Sequence, residues 1–494
     1  MRRLAAIAFV LGLARAAGAQ EPAAPRAASS APAPVTGGIP RYVVERVEIR
    51  GNRSTHADVI LRHVPYRGGD LIEPTDPELE LLRYRLLSTG FFGRVEVHLE
   101  RGGQRGGVVM VVDVTERNTF VVENLWVGIA ADEGDDGGVE PVSPFLGLRL
   151  AERNLFGTGI TLGGGVAIAD DQISLQADFA DSTFLGSDWA GFASLLVVDG
   201  RDFFGARDVA YEAPLSVDRR LENYAVVPFR RIGGRVGTGR DLSLSTSFSA
   251  GWRLEQVEAT PPLIASEDRG GRRQPIQFDV RSGQSVLSTL EGALVYDTRD
   301  APFLVTDGSL LEARLSLGAA PLGSHYGYAR MEGLAQRWFR LPFGHVLRVE
   351  GFVGAIAGDA PFFEQYYVGD LTDLLPDRLI GLAPDRRKAP NLFGTAIGLV
   401  RYGTFAAKAD VEYRIPIYKG HDSILGVDLF AATGLYAIAT REDLEEPAPE
   451  FKGLSAVPVD LTYNVGLRVD TAVGGATIAF SNLLGLLPAR GSDP

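Results

Sequence analysis

The 494-residue chain contains no cysteine. No disulfide can hold its fold, and thiol catalysis and thiolate metal sites are excluded. Histidine is scarce at six residues, and the chain carries no Gly-x-Ser-x-Gly elbow, no His-Glu-x-x-His pair and no phosphate loop. Those absences argue against an enzyme, and no cofactor is expected. Basic residues are outnumbered, 49 Lys and Arg against 62 Asp and Glu, giving a net charge of -13. A nucleic-acid binder would show the opposite balance. Long apolar runs are missing as well. The stretch Met1–Leu13 has two arginines and then a short apolar segment, well below the ~20 residues a helix needs to cross a bilayer. Followed by the small residues Ala17, Gly18 and Ala19, it has the form of a secretory signal peptide over 1–19. Residues 20–40, rich in Ala, Pro and Ser, read as a disordered linker.

What is abundant is turn formers and alternation. There are 59 glycines and 28 prolines, and the mean hydropathy is +0.05, high for a soluble enzyme with no apolar 20-mer. A transmembrane β-barrel gives that combination, because each strand devotes only alternate residues to lipid. In Leu242–Leu254 one face carries Leu242, Leu244, Phe248, Trp252 and Leu254 while serines and Arg253 occupy the other. Leu311–Leu317 groups Glu312, Arg314 and Ser316, and Ala407–Ile415 groups Lys408, Asp410, Glu412 and Arg414. A β-sandwich would alternate in the same way, but the leader and the size of the region favour a barrel. Roughly 370 residues at ~10 per strand plus loops accommodate about sixteen strands, and closure leaves no hydrogen-bonding edge in lipid.

Residues 41–117 follow a different rhythm. Tyr42–Arg50 alternates as a half-buried strand, and Gly51-Asn52 breaks it. Thr55 is placed to cap a first helix with Ile60, Leu61 and Val64 on its apolar side. A turn at Gly68–Asp70 leads to a second helix over Pro74–Ser88, where Leu79, Leu82, Leu86 and Leu87 keep helical spacing, and Gly90 ends it. Strands Phe92–Leu99 and Val108–Val114 complete a β-α-α-β-β module.

The order and spacing of Gly51–Thr55, Gly69-Asp70, Leu87–Val97 and Val112–Glu116 resemble a single polypeptide-transport-associated (POTRA) domain. Asn124–Ala130, Leu148–Gly159, Tyr296–Asp300 running on to Gly308, and Gly466–Gly475 resemble strand and turn elements of the BamA/TamA superfamily of outer-membrane assembly proteins. The resemblance covers almost the whole chain after the linker. It implies a mostly β protein: one small α+β POTRA domain at 41–117 in the periplasm, then an antiparallel outer-membrane barrel over 118–488. It also implies that Gly51, Asn52, Gly69, Gly90, Phe91 and Phe92 belong to the elements that dock clients, with an exposed edge strand open to strand addition.

One element departs from the family. A Val-Arg-Gly-Phe or Val-Arg-Gly-Tyr motif usually sits in a long sixth outer loop that folds into the barrel, its arginine meeting acidic groups of the wall. Here the stretch is Gln365–Leu382 within an outer loop expected at 359–395; if Gly381 takes the motif glycine, Ile380 takes the arginine position. Arg378 is the candidate substitute, with Asp410 and Glu412 as its inward wall partners; an arginine solvated in the loop is the other reading. Asp132, Glu133, Asp135 and Asp136 form an acidic turn that could hold calcium but more simply is solvated.

The expected function uses no chemical catalysis. A first strand near 124–131 and a last near 476–485, with Trp126, Gly128, Ile478 and Phe480 as seam residues, must meet to close the barrel, and glycines at Gly474, Gly475 and Gly485 weaken that seam. The reading is an accessory assembly factor that inserts or translocates client polypeptides. Expected partners are the outer-membrane bilayer, client outer-membrane or secreted polypeptides, and periplasmic or inner-membrane accessory proteins. The alternatives are a secretion pore exporting a dedicated partner and a structural or adhesive barrel.

Overall fold

A computed structural model describes residues 41–130, 143–204, 209–211, 225–262, 265–269, 272–371, 378–384, 391–420, 424–445 and 451–481. The leader, the linker, the acidic turn at 132–136 and Gly485 lie outside them.

The module has strands β1 (Tyr42–Arg50), β2 (Leu71–Ile72), β3 (Phe92–Arg101) and β4 (Gly107–Glu116), with helices α1 (Ala57–Leu61) and α2 (Pro77–Ser88). The sheet order is β2-β1-β4-β3, with β1 parallel to β4 and β3 on the outer edge. Leu82 and Leu86 of α2, Ile60 of α1 and Val44, Phe92, Met110 and Val112 of the sheet form one core. The second helix starts three residues later than its leucine spacing predicts. Asp76 caps it, its side chain accepting from the Glu78 amide at 3.0 Å, and Pro77 follows where a missing N–H costs nothing. Helix α1 is only five residues long and Thr55 does not cap it. The Thr55 amide donates to Glu116 at 2.6 Å and its hydroxyl accepts from Asn154 of the barrel at 2.9 Å, so this residue joins two parts of the chain.

Among the described residues, fifteen strands form one antiparallel sheet in chain order, from Phe120–Ala130 to Gly474–Ser481. Alternation places the expected faces. Glu312 and Arg314 pair at 2.7 Å, and Asp410, Glu412 and Arg414 are buried inside, while Leu311, Val411 and Tyr413 are exposed outside. The segment Leu242–Leu254 is not one strand. Leu242–Ser245 is the turn between Ala225–Asp241 and Thr246–Ala259, the amides of Leu242 and Ser243 both donating to Thr246 O, and Leu244 packs against the module core. A turn residue that docks another domain needs the same apolar character as a strand residue facing lipid.

Candidate functional site

The connection from strand Val346–Gly358 to strand Phe405–Lys419 is the long loop expected outside, and it is turned into the lumen. It enters through an aromatic stack: Phe362 lies 5.5 Å from Phe204 and 5.3 Å from Phe229 between ring centroids, and Arg231 sits 4.2 Å over Phe363. Glu364 follows. Its carboxylate accepts from the Tyr328 hydroxyl at 2.9 Å and pairs with Arg253 at 2.7 Å, both wall residues. Farther on, Leu379 and Leu382 bond to each other by both backbone groups, so Ile380 and Gly381 form a two-residue type I′ turn with φ of 51° and 88°. The tip is pressed against small wall residues. A Cβ at Gly165 would meet Ile380 at 2.6 Å and one at Gly200 would meet Leu382 at 3.1 Å, while Ser174 donates its hydroxyl to Ile380 O at 2.6 Å.

Arg378 does not reach Asp410 or Glu412. Its guanidinium donates to the carbonyls of Phe363 and Gln365, both at 2.5 Å, and pairs with Asp370 at 3.2 Å, all within the loop. It is neither solvated nor a bond to the wall; it ties the two arms of the loop together, with the Tyr367 and Tyr402 rings 5.8 and 5.6 Å away. The wall carboxylates are taken by wall arginines instead. Asp410 meets Arg348 at 2.5 Å, and Glu412 meets Arg468 at 2.6 Å with Arg348 and Arg414 each at 3.6 Å. Arg348 stands directly across from Glu412 on the adjoining strand, and Arg468 reaches Glu412 from two strands away, so no loop arginine is needed for neutrality.

The seam brings together fewer residues than expected. Trp126 and Gly128 lie on the lumen face, Trp126 packing beside the loop cluster, whereas Ile478 and Phe480 point outward and are exposed. They are on opposite faces of the sheet and do not face one another. The outward position of Ile478 follows from its register with Leu467, whose neighbour Arg468 is turned inward to Glu412. What joins the two edges among the described residues lies at the module end: the Val122 amide donates to Val473 O at 2.8 Å, Arg117 to Thr471 O at 3.1 Å and Asn118 to Ala472 O at 3.5 Å. Among the described residues no ladder follows above that point. The first and last of the fifteen described strands run in the same direction, so these two cannot continue the antiparallel pattern with each other.

The module's own residues also separate. Phe91 and Phe92 are buried in its core, ring centroids 6.1 Å apart, and are not available to a client. Gly51, at φ 86°, lies against Val114 O, where any side chain would collide, and Asn52 donates to Thr55 O at 3.0 Å. Gly69, at φ 99°, makes a turn whose amide donates to Val44 O, and Gly90, at φ 76°, faces Arg153 of the barrel. These residues build the module and its joint; the edge left open is β3.

That joint was not foreseen from the sequence. The His56 amide donates to Gly157 O at 2.8 Å, and Arg85 and Asp241 form an ion pair between α2 and the barrel turn. His63 is buried beside them, with Asp241 3.8 Å away and Arg62 and Arg85 nearby; Arg62 in turn faces Asp181 and Asp188. Burial first, then Arg85 and Arg62, push the His63 pKa well below 6.5. A depressed histidine pKa leaves docking intact above the ordinary value and weakens it as pH falls below, because the undocked imidazole takes up the proton first. The loss approaches ~1.4 kcal/mol per pH unit. The protection factor of the His56 amide, its exchange rate taken relative to the intrinsic rate at the same pH, should therefore fall between pH 6.5 and 5, and His63→Leu should remove the fall. An equal protection factor at both pH values in the native chain would show that His63 does not couple to docking.

Fold and sites together define a class: a transmembrane up-and-down barrel with an inward-folded loop and an α+β module docked on its turns. Residues 154–482 match the Omp85 superfamily domain, and residues 42–117 match the POTRA family, surface antigen variable number repeat. The chain belongs to the Omp85 superfamily. It is 25% identical over 338 residues to the outer membrane protein assembly factor BamA of Nitratidesulfovibrio vulgaris, a match covering 68% of this chain and 37% of that protein. The chain thus matches little more than a third of that relative's length. Among solved structures, CdiB from Escherichia coli aligns with a TM-score of 0.53 at 11% identity over 89% of this chain and 72% of that one, a likeness of fold alone. BamA from Haemophilus ducreyi lacking POTRA domains 1-3 aligns with a TM-score of 0.47 at 16% identity over 89% and 81%. The barrel lies in the outer membrane, with the module in the periplasm.

Proposed function

We propose that this chain assists the insertion or translocation of client polypeptides at the outer membrane, acting through its seam and without chemical catalysis. One observation carries the reading: among the described residues the only backbone hydrogen bond between the first barrel strand and the last hairpin runs from Val122 to Val473, in the turn before the last strand. Above that point one row of backbone groups of the strand Phe120–Ala130 has no ladder partner among the described residues. Unpaired backbone in a bilayer is costly, and an extended client segment would satisfy it. Because both edges run the same way, one inserted strand of opposite direction pairs with each of them antiparallel. The inward loop supports the same reading, since a lumen filled by Phe362, Glu364 and the Ile380 tip leaves the seam as the less obstructed route.

Cysteines at Val122 and Val473 test it, in a chain with no native thiol to interfere. Oxidation, or a short reducible crosslinker where the geometry of the direct bond is unfavourable, should stop client insertion in proteoliposomes, and reduction should restore it. Full activity of the locked form would exclude seam opening and move the function to transport through the lumen.

A further inference from the structure

Three barrel turns on the periplasmic side break the same local rule. Leu155–Thr158, Phe184–Ser187 and Pro342–His345 each close with a backbone bond from the fourth residue to the first, at 3.1, 3.1 and 3.3 Å. Their central pairs, Phe156-Gly157, Leu185-Gly186 and Phe343-Gly344, all have positive φ, which makes them type I′ turns. That turn favours Asn or Asp before the glycine, because a larger side chain is strained at positive φ. Elsewhere the chain obeys the preference: Asp171 and Asp279 hold the same backbone region. At the three turns the strained residue is bulky and apolar, and it is uncovered, with exposures of 85% for Phe156, 88% for Leu185 and 92% for Phe343. Strain combined with exposure loses on both counts unless the side chain has a partner.

A fourth turn of this kind shows what such a tip does when covered. Ile380-Gly381 has the same backbone, and its apolar side chain is buried in the barrel wall. For Leu185 and Phe343 the adjoining surface identifies the partner. Leu185 is flanked by exposed Phe184 and Trp189, with Arg240 5.8 Å over the indole. Phe343 adjoins His345, which meets Tyr413 edge to face with centroids 5.5 Å apart, and the outward row Phe339, Leu347 and Tyr413, with Arg337 5.3 Å over Phe339. Aromatic side chains paired with arginine, continuous with the lipid-facing wall, form the belt found where a barrel crosses the head-group layer. The turn bearing Phe156 is different. Its backbone is taken up by the module through His56 and Ser54, so the lipid argument does not extend to it.

We propose that the turns at Leu185-Gly186 and Phe343-Gly344 are lipid anchors, sinking their strained apolar residues into the boundary between head groups and acyl chains of the periplasm-facing leaflet. The two turns are separated by six strands in the sheet order, so together they hold widely spaced parts of the rim at one depth. Insertion of that kind reaches ~5–10 Å into the boundary.

Single cysteines at 185 and 343, each carrying a nitroxide, test this in the full chain reconstituted in phosphatidylcholine and phosphatidylglycerol vesicles. Gln104→Cys, on an exposed module turn, gives the aqueous reference, and Val411→Cys, on the outward wall, gives the lipid reference. Accessibility to oxygen relative to a water-soluble nickel chelate should rise several-fold at 185 and 343 over residue 104 and approach the value at 411. Values equal to that of residue 104 would overturn the proposal, as would a change that appears only when an unfolded client is added. A second variant guards against a label that perturbs the turn. The double change Leu185→Asn and Phe343→Asn supplies the residue the turn favours, so heat resistance in detergent should be kept or improved while insertion into preformed vesicles slows several-fold. Insertion at the parent rate would refute anchoring.

Discussion

Glu364→Ala should lower the temperature at which the folded barrel loses its fast gel mobility by far more than the loss of any surface charge. The side chain is 5% exposed and sits where the inward loop meets the wall, paired with Arg253 at 2.7 Å and bonded to the Tyr328 hydroxyl at 2.9 Å. Arg253 has Glu255 and Glu291 at 3.7 and 3.5 Å, too distant to replace the lost partner without rearrangement. Removing one member of a buried pair leaves the other charge uncompensated and costs ~3–5 kcal/mol. An exposed pair such as Arg441–Glu445 contributes at most ~1 kcal/mol, so Glu445→Ala is the control. Glu364→Gln keeps an acceptor for Tyr328 but not the charge and should fall between. Because the lost bonds hold the loop, the alanine variant should also conduct more current across a planar bilayer. Unchanged mobility and conductance would mean that the aromatic stack around Phe362 alone keeps the loop inside.

The parts of this molecule that obey a period were legible before the structure. Glu312, Arg314, Asp410 and Glu412 are inside because strand parity leaves polar residues no other face, and the glycine-punctuated module follows from Gly51, Gly69 and Gly90 in their turns. Period alone failed where a residue serves a neighbour distant in sequence. Leu242 and Leu244 alternate like a strand, yet Leu244 serves the module core from a turn. Thr55 has the chemistry of a helix cap and spends it on Glu116 and Asn154, far along the chain. The partners of Arg378 were illegible for another reason. Two of them are backbone carbonyls, and a carbonyl leaves no mark in the identity of the residue that carries it. The apolar tips, by contrast, had a readable sign: a bulky residue followed by glycine between strands, as in Phe156-Gly157 and Phe343-Gly344, contradicts the turn it must form.

Restoring the family's arginine at the loop tip should loosen the loop rather than tighten it. With Gly381 taken as the motif glycine, Ile380 stands in the arginine position, and its positive φ costs ~1–2 kcal/mol for a residue with a β-carbon. Burial of its side chain against Gly165 returns ~1.5–3 kcal/mol, which is enough to keep the tip in the wall. Ile380→Arg would keep the backbone strain and lose that contact. The new cation would find the wall carboxylates already engaged, Asp410 by Arg348 and Glu412 by Arg468, and Arg231 is close by, 3.8 Å from where a Cβ on Gly381 would lie. A buried charge without a partner beside a like charge puts the cost again at ~3–5 kcal/mol, and expelling the tip avoids it. Ile380→Val, with β-branching retained and one methylene removed, should cost only ~0.5–1.5 kcal/mol. Protease added to intact cells reads the difference, since a displaced tip presents the loop to the medium: Ile380→Arg should be cut within the loop while the parent and Ile380→Val resist. A protected Ile380→Arg with raised heat resistance would show that the wall can still accept the family's arginine and that the ion pairs of Arg348 and Arg468 yield to it.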